Sequence, residues 1–216
     1  MSRLLVVPLL ALCLVACQSA YYQVAEQVGY HKRDILVDRV EDGRDAQVEA
    51  EEQFQSAREQ LLALMDFDGG DIQDAYESLS EEYESALTAA TNVSDGIDAI
   101  EHVAGALFDE WEDELTEYTN TRLKADSARK LKETKRRYTG LIKTMRRSER
   151  RMGPVLAALK DNVLYLKHNL NAQAVAALRV EFRNIDRDID LLIAEMKKAI
   201  ASSNEFIDSL KQNQAQ

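Results

Sequence analysis

The stretch IQDAYESLSEEYESALTAATNVSDGIDAIEHVAGALFDEW, residues 72–111, carries the clearest periodicity in the chain. Its apolar residues Ile72, Tyr76, Leu79, Tyr83, Ala86, Ala90, Val93, Ile97, Ile100, Ala104, Leu107 and Trp111 follow alternating steps of four and three. That spacing draws one stripe along a helix. After a slip of phase between Trp111 and Thr121 the rhythm resumes at Ala128, Leu131, Lys135, Tyr138, Ile142, Met145, Glu149 and Met152. The segment therefore reads as one long helix over residues 71–152, with a hinge near residue 94 or at 111–121. Straight, such a helix would reach roughly 120 Å at ~1.5 Å per residue.

On its N-terminal side, residues 24–65 form a first helix carried by Leu36, Val40, Gly43, Gln47, Ala50, Phe54, Ala57, Leu61 and Leu64. Gly43, Ala50 and Ala57 repeat a small residue at one seam position, which lets a neighbouring helix approach closely. Asp66 to Asp71, with Gly69 and Gly70 inside it, ends this helix, and Asp71 is an N-cap for the next. On the far side Gly153-Pro154 reads as a stop, since Gly closes a helix and Pro opens one at its first turn. A helix over 154–169 follows, then Asn171 as a cap, then a last helix over 172–211. That last helix has one stripe through Val175, Phe182, Ile189, Met196 and Phe206, and a second through Ile193, Ile200 and Ile207. Two stripes mean contact with two partners. With eight Gly, two Pro and no alternating run bounded by turn residues, the fold class is all-α: an elongated antiparallel helical bundle or coiled coil.

The first residues read as an address. Arg3 precedes an apolar run from Leu4 to Ala16, and Leu14-Val15-Ala16-Cys17 fits a lipobox. The run is too short for a stable span of a ~30 Å hydrocarbon core, so residues 1–16 are expected to be a lipoprotein signal peptide. Cys17 becomes the lipidated first residue, and 17–23 a short tether to the helical domain 24–216. Cys13 leaves with the signal, so no disulfide within the chain is expected. Several acyl chains on one residue meet the requirement for stable anchoring. Gln18, in place of Asp, favours the outer membrane of a Gram-negative bacterium, with the chain facing the periplasm.

Charge is unevenly distributed. Glu41 to Tyr118 holds 24 acidic residues against Arg44 and Arg58, whereas Arg122 to Arg151 holds 13 basic residues against three acidic ones, within a net charge of -11. The basic run has a plain reading, a solvated helix face or an arm paired with the acidic segment. It also has a sharper one, a surface for anionic headgroups or envelope phosphates. In the sharper reading the second helix returns to bilayer level near Leu115, and a bend lays Arg122 to Arg151 along the membrane. Its candidate binding residues are Lys132, Lys135, Arg136, Arg137, Arg146 and Arg147. Nucleic acid is not expected as a partner of an exported, acidic chain.

Enzyme signatures are not found in the sequence. His31, His102 and His168 lie on separate helices with no second His or Cys at i+3 or i+4, so no metal is expected. No phosphate loop or nucleophile motif occurs, and no cofactor is expected. Glu110, Glu112, Asp113 and Glu114 read as a solvated face around a core Trp111, and His31-Lys32-Arg33-Asp34 as a segment near headgroups. The expected role is a non-enzymatic scaffold or adaptor. It would be held to the membrane by its lipid and engage an envelope protein or, through its heptads, a second copy. The alternative is a peripheral membrane- or polyanion-binding module.

Three stretches carry a resemblance: Gly29-Tyr30-His31-Lys32-Arg33-Asp34-Ile35-Leu36-Val37-Asp38-Arg39-Val40, then Leu107-Phe108-Asp109-Glu110-Trp111-Glu112 with Glu114-Leu115, and Pro154-Val155-Leu156 leading to Leu166-Lys167-His168-Asn169-Leu170-Asn171-Ala172. Over essentially the whole mature chain the sequence resembles the bacterial family domain of unknown function 2959. The resemblance implies an exported, lipoprotein-like helical protein and supplies no catalytic residues.

Overall fold

The computed structural model describes residues 32–65 and 72–214. Its helices are α1 (Lys32–Met65), α2 (Ile72–Glu117), α3 (Thr121–His168) and α4 (Ala172–Gln214), with no strand among the described residues. Helix α1 packs on α2 and α4, and α3 packs on the same two. Ion pairs set the directions: Lys32 at the start of α1 meets Glu110 near the end of α2, and Glu41 meets Lys211 near the end of α4. The chain is thus an up-down-up-down four-helix bundle. Its longest helix has 48 residues, about 72 Å at ~1.5 Å each.

Heptad spacing explains the core. All nine stripe residues named for the first helix, from Leu36 to Leu64, are buried. In α2 the stripe from Leu79 to Leu107 is buried except at Ala90, which is half-buried. In α4 the main stripe faces inward, and Ile193 and Ile207 are buried beside it, with Ile200 half-buried between them. Phe54 and Phe182 are fully buried; truncating either to Ala would cost about 3–5 kcal/mol. Gly43 marks a close crossing. A Cβ there would lie 2.7 Å from Ile100 Cδ1 and 3.2 Å from Met145 Cε, and one on Gly96 would lie 3.3 Å from Gly43 Cα.

Several sequence expectations change. The long helix over 71–152 is two antiparallel helices, broken at 118–120 inside the region of the phase slip. Asn120 makes the break, because its side chain accepts from the backbone N–H of Arg122 and Leu123 and caps α3. No hinge occurs near residue 94. Ser94 sits within α2 and donates to Glu149 of α3 instead of capping a helix. Gly153-Pro154 is not a stop, for Pro154 lies inside α3. Both residues are exposed, so the Arg150 carbonyl that Pro154 cannot serve faces the solvent side, while Met152, Val155, Leu156 and Leu159 stay buried. Burial of that face carries the helix past a residue that would otherwise end it.

The α3 stripe also shifts. Its core positions between Leu131 and Val155 are Leu131, Thr134, Leu141, Met145, Ser148, Met152 and Val155. Lys135 and Glu149 of the expected stripe lie on the seam facing α2, where they meet Glu112 and Ser94. Asn171 does cap α4, its side chain accepting from Ala174 N at 2.9 Å. The signal peptide, the tether, Cys17, residues 24–31 and the Asp71 cap lie outside the described residues.

Candidate functional site

The basic run is a helix that folds back along the acidic one. Because the chain reverses at 118–120, Arg122 to Arg151 climbs the length of the bundle beside α2, not across its end. The bend expected to lay this run along a membrane is therefore a tight antiparallel turn. The physical reason is burial: Leu141, Met145 and Met152 leave water only by joining the core.

Of the six candidate anion-binding residues, four make ion pairs within the chain. Lys135 Nζ lies 2.6 Å from Glu112 and 5.3 Å from the Phe108 ring centroid. Arg137 pairs with Glu133 one turn away and draws that carboxyl below its usual pKa. Arg147 meets Glu195 at 3.0 Å. Arg146 is the hub: it binds Glu101 at 2.6 Å, Glu149 at 3.0 Å, and Asp98. The Glu101 hydrogen bond leads the interactions that push its guanidinium pKa further up. Lys132 and Arg136 are exposed and carry no ion pair among the described residues. The acidic and basic segments thus partly neutralise each other across the α2–α3 seam.

A cleft of about 660 Å³ opens at the bundle end where α1 begins and α4 finishes. Its walls include Lys32, Arg33, Trp111, Tyr118, Leu123 and Leu210. Trp111 Nε1 donates to Ser127 Oγ at 2.8 Å, and the Arg33 guanidinium lies 5.0 Å from the Trp111 ring centroid. That geometry is a cation–π contact. Trp111 is half-buried on this cleft, not enclosed in the core as its place in the stripe implied. Nor is the acidic cluster only a solvated face, since Glu110 holds Lys32 and Glu112 holds Lys135. The pairing of Arg33 with Trp111 is 78 residues apart in sequence, and no local pattern announces it. Past Glu110, α2 runs on to Glu117, so the α2–α3 turn projects beyond the start of α1, with Tyr118 and Leu123 exposed.

No group of three His, Cys, Asp or Glu among the described residues is placed to hold a metal ion. No described helix is long and apolar enough to cross a membrane. Fold and surface together define an antiparallel helical bundle with charge divided between adjacent helices. The chain belongs to the family of proteins of unknown function DUF2959, whose profile matches residues 21–210. No curated protein matches it.

Proposed function

We propose that this protein is a non-enzymatic lipoprotein of the Gram-negative envelope, held by lipidated Cys17 in the outer membrane and facing the periplasm as a scaffold or adaptor. One observation carries the reading. The N-terminus of α1 lies at the same end of the bundle as the aromatic cleft and the exposed α2–α3 turn, and the lipobox precedes it by a short stretch of sequence. A chain anchored at Cys17 therefore presents that end to the bilayer. The turn at 169–171 lies about 70 Å away, at the far end of α3. Tyr118, Trp111 and Arg33 at the anchored end suit a polar–apolar boundary.

Cell fractionation of the full-length chain with and without Cys17→Ala tests this. The reading expects incorporation of labelled fatty acid and membrane recovery for the native chain, with both lost in the variant. Fatty acid labelling that persists in Cys17→Ala, or a native chain that stays in the soluble fraction, would overturn it.

A further inference from the structure

Over residues 95–113 of α2 and 132–150 of α3, two stripes of exposed opposite charge lie on adjacent helices and match in height. On α3, Lys132, Arg136, Lys143 and Arg150 are exposed and have no ion pair among the described residues. Their steps of four and seven keep them within about 40° of one another around the helix. On α2, Asp95, Asp109 and Asp113 are likewise exposed and without an ion pair among the described residues, again within about 40°. The helices are antiparallel, and their cross-links give a common scale of height. With Lys135 level with Glu112, and Arg146 level with Asp98, each step up α3 is a step back along α2. On that scale Lys132 is level with Asp113, Arg136 with Asp109 and Arg150 with Asp95, each to within about two residues, or roughly 3 Å.

These residues lie on the exposed sides of α2 and α3, beside the seam where Lys135 and Arg146 pair. We propose that the α2–α3 face binds a second copy of this chain about a two-fold axis parallel to the bundle. Such an axis sets α2 of one copy against α3 of the other at unchanged height, twice over. Lys132, Arg136 and Arg150 of each copy then meet Asp113, Asp109 and Asp95 of its mate. The contact is self-complementary and closes at two copies. A two-fold axis across the bundle would reverse the heights and set like charges against each other. Both copies point the same way, which, resting on the proposed lipid anchor, lets both Cys17 residues enter one bilayer. Exposed ion pairs are individually weak and salt-sensitive. Confinement of both copies to one surface raises their effective concentration.

The test uses two differently tagged full-length copies, one with Asp109→Cys and one with Arg136→Cys, expressed together. Whichever cell fraction holds the protein is treated with a thiol oxidant, so the result does not depend on where the protein resides. The expected product is a disulfide joining the two tags, at least tenfold more abundant than from a control pair of Arg136→Cys and Glu181→Cys. Separately, the full-length chain in mild detergent at low salt is expected to sediment as a dimer. Lys132→Glu, Arg136→Glu and Arg150→Glu together should make it a monomer, and adding Asp95→Lys, Asp109→Lys and Asp113→Lys should restore the dimer. No cross-link above control, or a dimer indifferent to the charge reversals, would overturn the proposal. So would a monomer at low salt whose basic stripe binds anionic vesicles, which would assign that stripe to an anionic surface.

Discussion

Ser148 on α3 and Gln47 on α1 meet across the diagonal of the bundle, with Ser148 Oγ 3.0 Å from Gln47 Oε1 and both residues fully buried. The serine hydroxyl is also 2.8 Å from the carbonyl oxygen of Met145, so its single proton serves two acceptors. Gln47 Nε2 has no partner among the described residues. An unpaired amide in an apolar core carries a desolvation cost of about 1–3 kcal/mol. The pair therefore specifies which residues of α1 and α3 face each other more than it stabilises them. Replacing both partners by apolar groups, Gln47→Met with Ser148→Ala, is expected to leave stability unchanged or to raise it by about 1 kcal/mol. Gln47→Ala alone should lower it by roughly 2 kcal/mol through the cavity it leaves. Urea unfolding followed by circular dichroism measures both.

The glycines divide by what surrounds them. A side chain on Gly43 would press on Ile100 and Met145, so Gly43→Val is expected to destabilise the bundle by about 1–3 kcal/mol. At Gly105 nothing lies within 4 Å of the added carbon, and the residue is in mid-helix. Gly105→Ala should therefore raise stability by roughly 0.5–1 kcal/mol. Equal effects of the two changes in a thermal melt would contradict the close crossing of α1 and α2.

Arg146 holds three carboxylates from two helices, and without it Asp98, Glu101 and Glu149 would repel one another. Asp98 is 65% exposed, which screens part of the interaction. Arg146→Ala is expected to cost about 1–2 kcal/mol, and Arg146→Lys part of that, since an ammonium cannot make the forked contacts. The loss should shrink at high salt, and unfolding midpoints at two salt concentrations read it.

Tyr138 packs edge-on to Phe108 at 5.2 Å between ring centroids. Burial, aided by the negative charge of Glu101, pushes its phenol pKa up from 10.0 to about 12. A group held protonated in the fold contributes stability that is fully present below its unfolded pKa and lost as pH rises through its folded pKa. The bundle should therefore lose stability between pH 10 and 12, and Tyr138→Phe should remove that part of the slope. Urea midpoints across this range, with the tyrosinate absorbance of both proteins, decide the matter.

Much of the fold is legible in the chain because burial repeats with the helix period. From Leu36 to Leu64 the stripe read from sequence is the buried face, since a helix with two neighbours has one continuous inward side. The turn at 118–120 left only a trace, the phase slip after Trp111. Nothing local distinguishes a hinge from a full reversal until Asn120 is seen to cap α3. Pro154 misled for the opposite reason, because the local preference to stop is outweighed by the buried residues on either side of it. The candidate residues were partly legible. The basic run was evident, yet which of its cations remain free depends on carboxylates 23 to 48 residues away.

The order of apolar and polar residues is enough to make this protein helical, to run its inner faces along most of each helix, and to place opposite charge on separate segments. Those properties follow from spacing along one helix and need no partner. That the basic helix stands against the acidic one, that Arg146 pairs within the chain while Lys132 and Arg136 make no ion pair among the described residues, and that Arg33 lies over Trp111 all follow from how the helices pack. Such pairings depend on the height at which antiparallel helices meet, and packing of the whole core sets that height.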